Sequence, residues 1–346
     1  MRQSGRLTVR ARAVLTLLAL GAIGLAALRF PAPAPVPAAT AGGSDVATYQ
    51  AIVAKLRTGA LYYPTIGFEL RRAGYATREA FNWRTPLLWS AVSAVPEAVG
   101  RVVIFALLLV LCSATLATVR QPSTAVGTAF AIQLGVAAIL TVPSALVISE
   151  AWAGVLVGIS VCAYALRRRG FAVALGLLAL FVRELAAPYC VVCTVIAAVN
   201  RRWREVWAWI GGACVYAAYY GWHLTQVWAH RLPTDRPHSS SWLDFGGLPC
   251  LLSTIHWQGW LLLLPLPLTA LALVLIIAGI ADARAPLHVR TASAVYVVFF
   301  LVAGKPFDHY WGLMAVATWA LACGYGARMT GEAIRMAFAP RGSDAC

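Results

Sequence analysis

The feature that most constrains this chain is a series of apolar runs, each about as long as a bilayer is thick, separated by short arginine clusters. A hydrocarbon core of about 30 Å takes roughly 20 residues of helix. Runs of that order recur at 13–30, 99–119, 123–146, 151–166, 206–227, 257–280 and 311–327. Composition agrees: of 346 residues, 60% are hydrophobic and 12% charged, and mean hydropathy is +0.73. A soluble domain is about 45–50% apolar and roughly 25% charged, so this chain has too few polar side chains to cover one. Disorder, collagen-like repeats and a disulfide scaffold are excluded on the same grounds. A net charge of +15 suggests nucleic acid when a protein is soluble. Here the arginines lie between apolar runs, as cytoplasmic membrane loops require, and no nucleic-acid partner is expected. The expected fold is an all-α polytopic membrane protein.

Charge counting orders the passes. The run 13–30 follows Arg2, Arg6, Arg10 and Arg12 and reads as an uncleaved signal anchor, in preference to a signal cleaved in the Pro/Ala tract 31–41; either way the residues after it start outside the cytoplasm. The stretch 171–199 is apolar apart from Arg183-Glu184 and Pro188. As one helix it would run about 43 Å, and as a hairpin each arm would be about 18–22 Å. Arg167–Arg169 precede it and Arg201, Arg202 and Arg204 follow. A hairpin leaves both clusters inside, together with Arg284, Arg290, Arg328, Arg335 and Arg341, against Arg231, Arg236 and Lys305 outside. A single span reverses that ratio, against the positive-inside rule, so the hairpin is preferred. A second short arm, 291–303, precedes Gly304-Lys305-Pro306-Phe307-Asp308-His309. Two short arms place their tips, with Arg183, Glu184, Lys305, Asp308 and His309, at headgroup depth or deeper, where a charge costs about 2.5–3.5 kcal/mol.

The expected organisation is ten membrane segments with both termini cytoplasmic. Residues 1–30 form the signal anchor and first span, and 31–98 form a long outer loop. The transmembrane bundle occupies 99–327 with an outer loop at 228–256, and 328–346 is a cytoplasmic tail. In the first loop, Ser44 precedes a helix whose first turn carries Asp45. Tyr49, Ile52, Val53 and Leu56 follow at helical spacing, and Gly59 ends it. Lys55 and Arg57 make this run too polar to span, so it is expected to lie at the interface. A second short helix is expected over 64–73, and 87–95 re-enters the bilayer boundary after Asn82-Trp83-Arg84-Thr85-Pro86. The loop 228–256 reads as a flexible substrate-side loop. The eight cysteines sit mostly singly in apolar runs, and Cys190-x-x-Cys193 has no second pair, so neither a metal nor a cofactor is expected.

The outer face carries nine acids: Asp45, Glu69, Glu79, Glu97, Glu150, Glu184, Asp235, Asp244 and Asp308. Asp45 stands out, just after the first span and above the cations of the short arms, although on position alone a plain first-turn acid is the preferred reading. Glu150 begins a helix, where satisfying backbone N–H groups is the ordinary reason for an acid. Arg183 and Glu184 have the plain reading of a buried ion pair. Being adjacent on a helix, they are expected to face different partners. Lys305, Asp308 and His309 bring a cation, an acid and an imidazole to one buried tip. Cations at phosphate depth suit a lipid phosphate, which arginine binds through paired hydrogen bonds. An acid above them suits a base acting on an acceptor from the aqueous side. Sugar transfer from a lipid phosphate needs only one base, since the leaving phosphate is already stable as an anion, unlike the paired carboxylates of a glycosidase.

A set of short motifs in this order resembles the GT-C superfamily of membrane glycosyltransferases, most closely the bacterial family 87 enzymes that use polyprenyl-phosphate sugars. They are Asp45-Val-Ala-Thr-Tyr49, Gly59-Ala-Leu-Tyr-Tyr63, Asn82-Trp-Arg84-Thr-Pro86, Glu150-Ala-Trp152, Arg183-Glu184-Leu-Ala and Asp308-His309-Tyr310-Trp311-Gly312. The resemblance implies a GT-C-like fold with Asp45 as catalytic base. It implies Arg183, Lys305 and His309 at the donor phosphate, and Glu150, Glu184, Asp308 and Arg84 serve as secondary candidates.

The expected activity is inverting transfer of a hexose such as mannose from a polyprenyl-phosphate donor to a glycan or lipid acceptor. It would take place on the outer face of a bacterial cytoplasmic membrane. The partners are then donor, acceptor and membrane lipids. The alternative is a transporter or flippase for a lipid-linked or anionic solute, using the same cations without chemistry.

Overall fold

The computed structural model describes residues 45–118, 124–140, 143–237, 245–304 and 306–338. The expected first span, Ser44, Asp244, Lys305 and the end of the tail lie outside the described residues. Within the described residues every regular element is helical, thirteen α-helices with short 3₁₀ turns between them.

Three short helices precede the bundle, close to where the sequence puts them. Helix α1 (Asp45–Arg57) buries Thr48, Tyr49, Ile52 and Val53, one stripe of its surface, and the chain leaves it through Gly59 at φ +88°. Helices α2 (Tyr62–Arg72) and α3 (Pro86–Ser93) follow, the latter with proline in its first turn, where the missing N–H costs nothing. Helix α1 packs against α2, α3 and the 3₁₀ turn Pro143–Val147.

The bundle comprises α4 (Glu97–Thr118), α5 (Thr124–Leu140), α6 (Ser149–Ala165), α7 (Arg169–Val182), α8 (Ala187–Val199) and α9 (Trp203–Ala229), then α10 (Gly247–His256), α11 (Leu266–Ala281), α12 (Leu287–Val302) and α13 (Val316–Phe338). Helix α6 is buried from Ser149 to Tyr164 on every side and forms the axis, apolar all round as a central helix must be. Helix α4 is its opposite, with Val99, Val102, Val103, Phe105, Leu109 and Val110 exposed. The tightest seam joins α11 to α13. A Cβ on Gly279 would strike the carbonyl of Ala322, and one on Gly326 would strike that of Leu275, so a glycine on each side lets two backbones touch.

Two hairpins bring the chain back to one end. Helix α7 stops at Arg183, which is extended (φ −152°, ψ 122°), and α8 returns alongside. Cys190 Sγ stands 3.6 Å from the carbonyl of Gly176, about equally far from the turn. Helices α12 and α13 form the second hairpin, with Ser293 Oγ donating to the carbonyl of Thr318 at 3.1 Å and Trp319 Nε1 to that of Ser293 at 3.2 Å.

Several expectations change. Among the described residues one helix, Glu97–Thr118, is both long and apolar enough to cross a bilayer; the apolar helices Ser149–Ala165, Arg169–Val182 and Leu287–Val302 are shorter. The region 228–256 is not all loop. It holds α10, whose Leu248, Leu251, Leu252 and Ile255 repeat at i, i+3, i+4 and i+7, and which packs against the 3₁₀ segment Pro306–Ala315. Helix α12 begins before 291, and α13 starts at Val316 rather than 311 and continues past 327 to Phe338.

Candidate functional site

The N-terminus of α6, the α7–α8 turn, the segment after α12 and the α1–α3 layer converge at one end of the bundle. The segment before α3 is fixed first. Trp83 Nε1 donates to the carbonyl of Thr77 at 2.9 Å, Asn82 Nδ2 to that of Ala76 at 2.8 Å, and the Tyr62 hydroxyl to that of Arg84 at 2.8 Å. These bonds hold the Arg84 backbone, and its guanidinium reaches inward. Nη2 donates to the Tyr49 hydroxyl at 3.1 Å and to the Tyr310 hydroxyl at 3.3 Å, and lies 3.7 Å from Glu150 Oε1. Burial works against its charge, but Tyr49 and Glu150 outweigh that and keep Arg84 a cation.

Asp45 opens α1, partly exposed. Its carboxylate accepts a hydrogen bond from the Tyr75 hydroxyl and a second, at 3.1 Å, from the Tyr310 hydroxyl. Tyr310 therefore touches both Asp45 and Arg84. Burial, with Tyr49 and Asp45 close by, pushes the Tyr75 phenol up, and burial likewise raises Tyr310. Both remain hydroxyls, so Asp45 is held by neutral donors.

Glu150 is fully buried and caps no backbone. It joins Arg183 Nε at 2.8 Å and takes a hydrogen bond from Ser149 Oγ at 3.1 Å. The other side of Arg183 meets Glu184, contrary to the expectation that these neighbours find separate partners. Arg183 does find a separate partner in Glu150, but its long guanidinium also reaches the carboxylate of Glu184, which begins the 3₁₀ turn after α7. Arg183 also lies over the ring of Trp311, 6.0 Å from its centroid. Two carboxylates thus occupy Arg183, whereas the Nε of Arg84 is buried with no hydrogen-bond partner.

Of the candidates read from sequence, Asp45, Arg84, Glu150, Arg183 and Glu184 form one connected network. His309 stacks on Trp257 at 4.6 Å and meets the edge of Tyr310 at 6.1 Å, so it borders that network. Asp308 is buried on the same segment. Lys305 lies outside the described residues. Sequence reasoning did not assign roles to Tyr49, Tyr75 and Tyr310. Tyr49 and Tyr310 stood inside quoted motifs, but nothing local marked Tyr75. Among the described residues no group of three or more His, Cys, Asp and Glu could hold a metal ion. A groove of about 320 Å³ runs along α4, lined by Ala98, Arg101, Val102, Ile104, Phe105 and Leu108, and none of the network residues lines it.

The network combines a partly exposed carboxylate with a buried cation that keeps donor capacity. That arrangement can take a proton on one side and hold an anion on the other. Compared with family models, curated proteins and solved structures, the chain matches none.

Proposed function

We propose that this chain is an inverting glycosyltransferase set in a membrane bundle of ten segments, using a polyprenyl-phosphate sugar. The observation that carries the reading is the carboxylate of Asp45, held by two phenols, one of which also touches Arg84. Asp45 takes the proton of an acceptor hydroxyl. The acceptor oxygen bonds to the anomeric carbon as the bond from that carbon to the phosphate oxygen breaks, and the electron pair leaves with the phosphate. Arg84, with its unpartnered Nε, holds that phosphate, and His309 borders it. Arg183 acts through Glu150, which sets the position of Arg84.

The membrane reading draws support from the apolar side chains turned outward on α4, α7, α8 and α11, since exposed apolar surface of this extent marks a membrane or partner contact. The shorter helices cross by forming hairpins whose tips lie below the outer surface, so the active site faces outward at headgroup depth.

The test is donor turnover by purified protein in nanodiscs. Polyprenyl-phosphate mannose and glucose are supplied with a crude lipid and glycan extract, and wild type is compared with Asp45→Asn. Release of polyprenyl phosphate by wild type alone supports a transferase with Asp45 as base. Equal release by both removes Asp45 from the mechanism. No release by either, with solute flux in proteoliposomes, makes the chain a transporter.

A further inference from the structure

The opposite end of the bundle carries a second charged cluster that the proposed reaction does not use. Helices α6 and α8 end in the same way. Arg167 (φ 62°) and Arg201 (φ 55°) take the left-handed conformation, and the next residues, Arg168 (φ −90°, ψ 60°) and Arg202 (φ −87°, ψ 66°), each precede a new helix. The closing bonds match too: Arg168 N–H to the carbonyl of Ala163 at 2.8 Å, and Arg202 N–H to that of Ala197 at 2.9 Å. A left-handed helix stop favours glycine or asparagine, and a helix start favours Asn, Asp, Ser or Thr. Arginine occupies all four positions, and neither Arg168 nor Arg202 caps its helix with its side chain.

These two turns meet. Tyr164, at the end of α6, donates to Glu205 at the start of α9 at 2.8 Å, and Trp209 Nε1 donates to Tyr164 at 3.0 Å. His288, in the first turn of α12, stacks face to face on Tyr164 at 3.8 Å and lies within electrostatic reach of Arg202 and Arg169. Across 163–172, 197–210 and 286–292 the sequence holds Arg167, Arg168, Arg169, Arg201, Arg202, Arg204 and Arg290, and its single acid is Glu205. Glu205 pairs with Arg202 at 3.1 Å, and Arg290 donates to the carbonyl of Ile280 at 2.7 Å. Three polar atoms of the joint are buried without a hydrogen-bond partner: the nitrogens Arg202 Nε and His288 Nε2, and Glu205 Oε2, which lies 3.1 Å from Arg202 Nη1 as an ion pair. The positive-inside tendency accounts for arginines here, but not for unpartnered nitrogens beneath them.

We infer that this joint between the α6–α7 turn, the α8–α9 turn and the start of α12 binds a phosphate group, that of an anionic lipid headgroup. The phosphate oxygens accept from Arg202 and His288 and offset the cations gathered at the starts of α7 and α9, where the helix ends already favour negative charge. The lipid source follows from the membrane reading above and places the joint at the inner leaflet.

The experiment is native mass spectrometry of the full-length protein exchanged against phosphatidylglycerol or phosphatidylcholine. Wild type is compared with the double variant Arg169→Gln/Arg202→Gln, with Arg202→Lys, and with Arg335→Gln as a charge control on the exposed end of α13. Wild type is expected to retain phosphatidylglycerol about tenfold over phosphatidylcholine. The double variant loses that preference, Arg202→Lys keeps part of it, and Arg335→Gln is unchanged. Equal retention of the two lipids, or a double variant that melts normally and retains phosphatidylglycerol like wild type, overturns the proposal. Displacement of the lipid by millimolar inorganic phosphate or pyrophosphate overturns the lipid as occupant and leaves a soluble phosphate in its place. Retention of the protein in carbonate-washed membranes scores the membrane reading separately.

Discussion

Two carboxylates near the α1–α3 layer are held in contrasting ways. Asp235 accepts from Arg71 Nε at 2.6 Å, Arg71 Nη2 at 3.0 Å, Thr77 Oγ1 at 2.7 Å and the backbone N–H of Leu232 at 2.9 Å. Its side chain is 2% exposed. Those partners, the Arg71 guanidinium first, hold its carboxyl well below the usual range. Every lone pair is committed, so Asp235 is a latch that ties the segment after α9 to α2. Asp45 is partly exposed and accepts from two phenols, one of which, Tyr310, also accepts from Arg84. A carboxylate locked by an arginine serves structure; the one held by hydroxyls is the base of the proposed reaction.

Exchanging each acid for its amide tests that contrast most strongly. Asp45→Asn is expected to lower donor turnover about 10²–10⁴-fold, the range for a lost general base, with an unchanged melting temperature in detergent. Glu150→Gln leaves Arg183 and Arg84 short of a buried partner. It is expected to cost about 3–5 kcal/mol, read as a large fall in melting temperature. Asp235→Asn is expected to cost about 2 kcal/mol, as for hydrogen bonds to a charged group, discounted because Arg71 is 25% exposed, while turnover stays within about threefold. A large turnover loss there without destabilisation would erase the distinction.

Tyr310→Phe keeps the ring and removes the hydroxyl shared by Asp45 and Arg84. Turnover is expected to fall about tenfold, the equivalent of one hydrogen bond, and an unchanged rate would break the link between base and cation. The smallest effect is a pH dependence. Because the folded Asp235 carboxyl is held below its unfolded value near 4, its stabilisation is present above about pH 4. It is lost as pH falls through the lowered folded value. The stability gap between wild type and Asp235→Asn should therefore be constant from pH 7 to 5 and shrink below about pH 4, as measured by chemical denaturation. A gap that stays constant to low pH would show that Arg71 does not depress this carboxyl.

Much of the fold was legible because its signals are local. Gly59 after Lys55 and Arg57 marks the end of α1, Pro86 marks the start of α3, and Arg183-Glu184 with Pro188 interrupts an apolar stretch too long for one helix. Helix α10 was missed although Leu248, Leu251, Leu252 and Ile255 carry the helical repeat, because the glycines, prolines and serines around them dominated the reading of 228–256. The pairing of Arg183 with Glu184 was misjudged for a different reason. The rule considers Cβ directions alone, whereas the flexible Arg183 side chain spans from Glu150 to Glu184 at the turn.

The sequence by itself determined that the chain is helical, that α1 opens at Asp45 and stops before Gly59, and that the chain doubles back at Arg183. Those features depend on residues within a few turns of one another. Only the tertiary structure decided which acids and bases meet. Tyr310 stands 265 residues from Asp45, Arg71 stands 164 from Asp235, and Arg183 stands 33 from Glu150. No periodicity encodes those distances. They follow from packing α1–α3 and two hairpins around the buried α6, which makes Arg183 spend its charge on Glu150 and leaves Arg84 with a nitrogen to give.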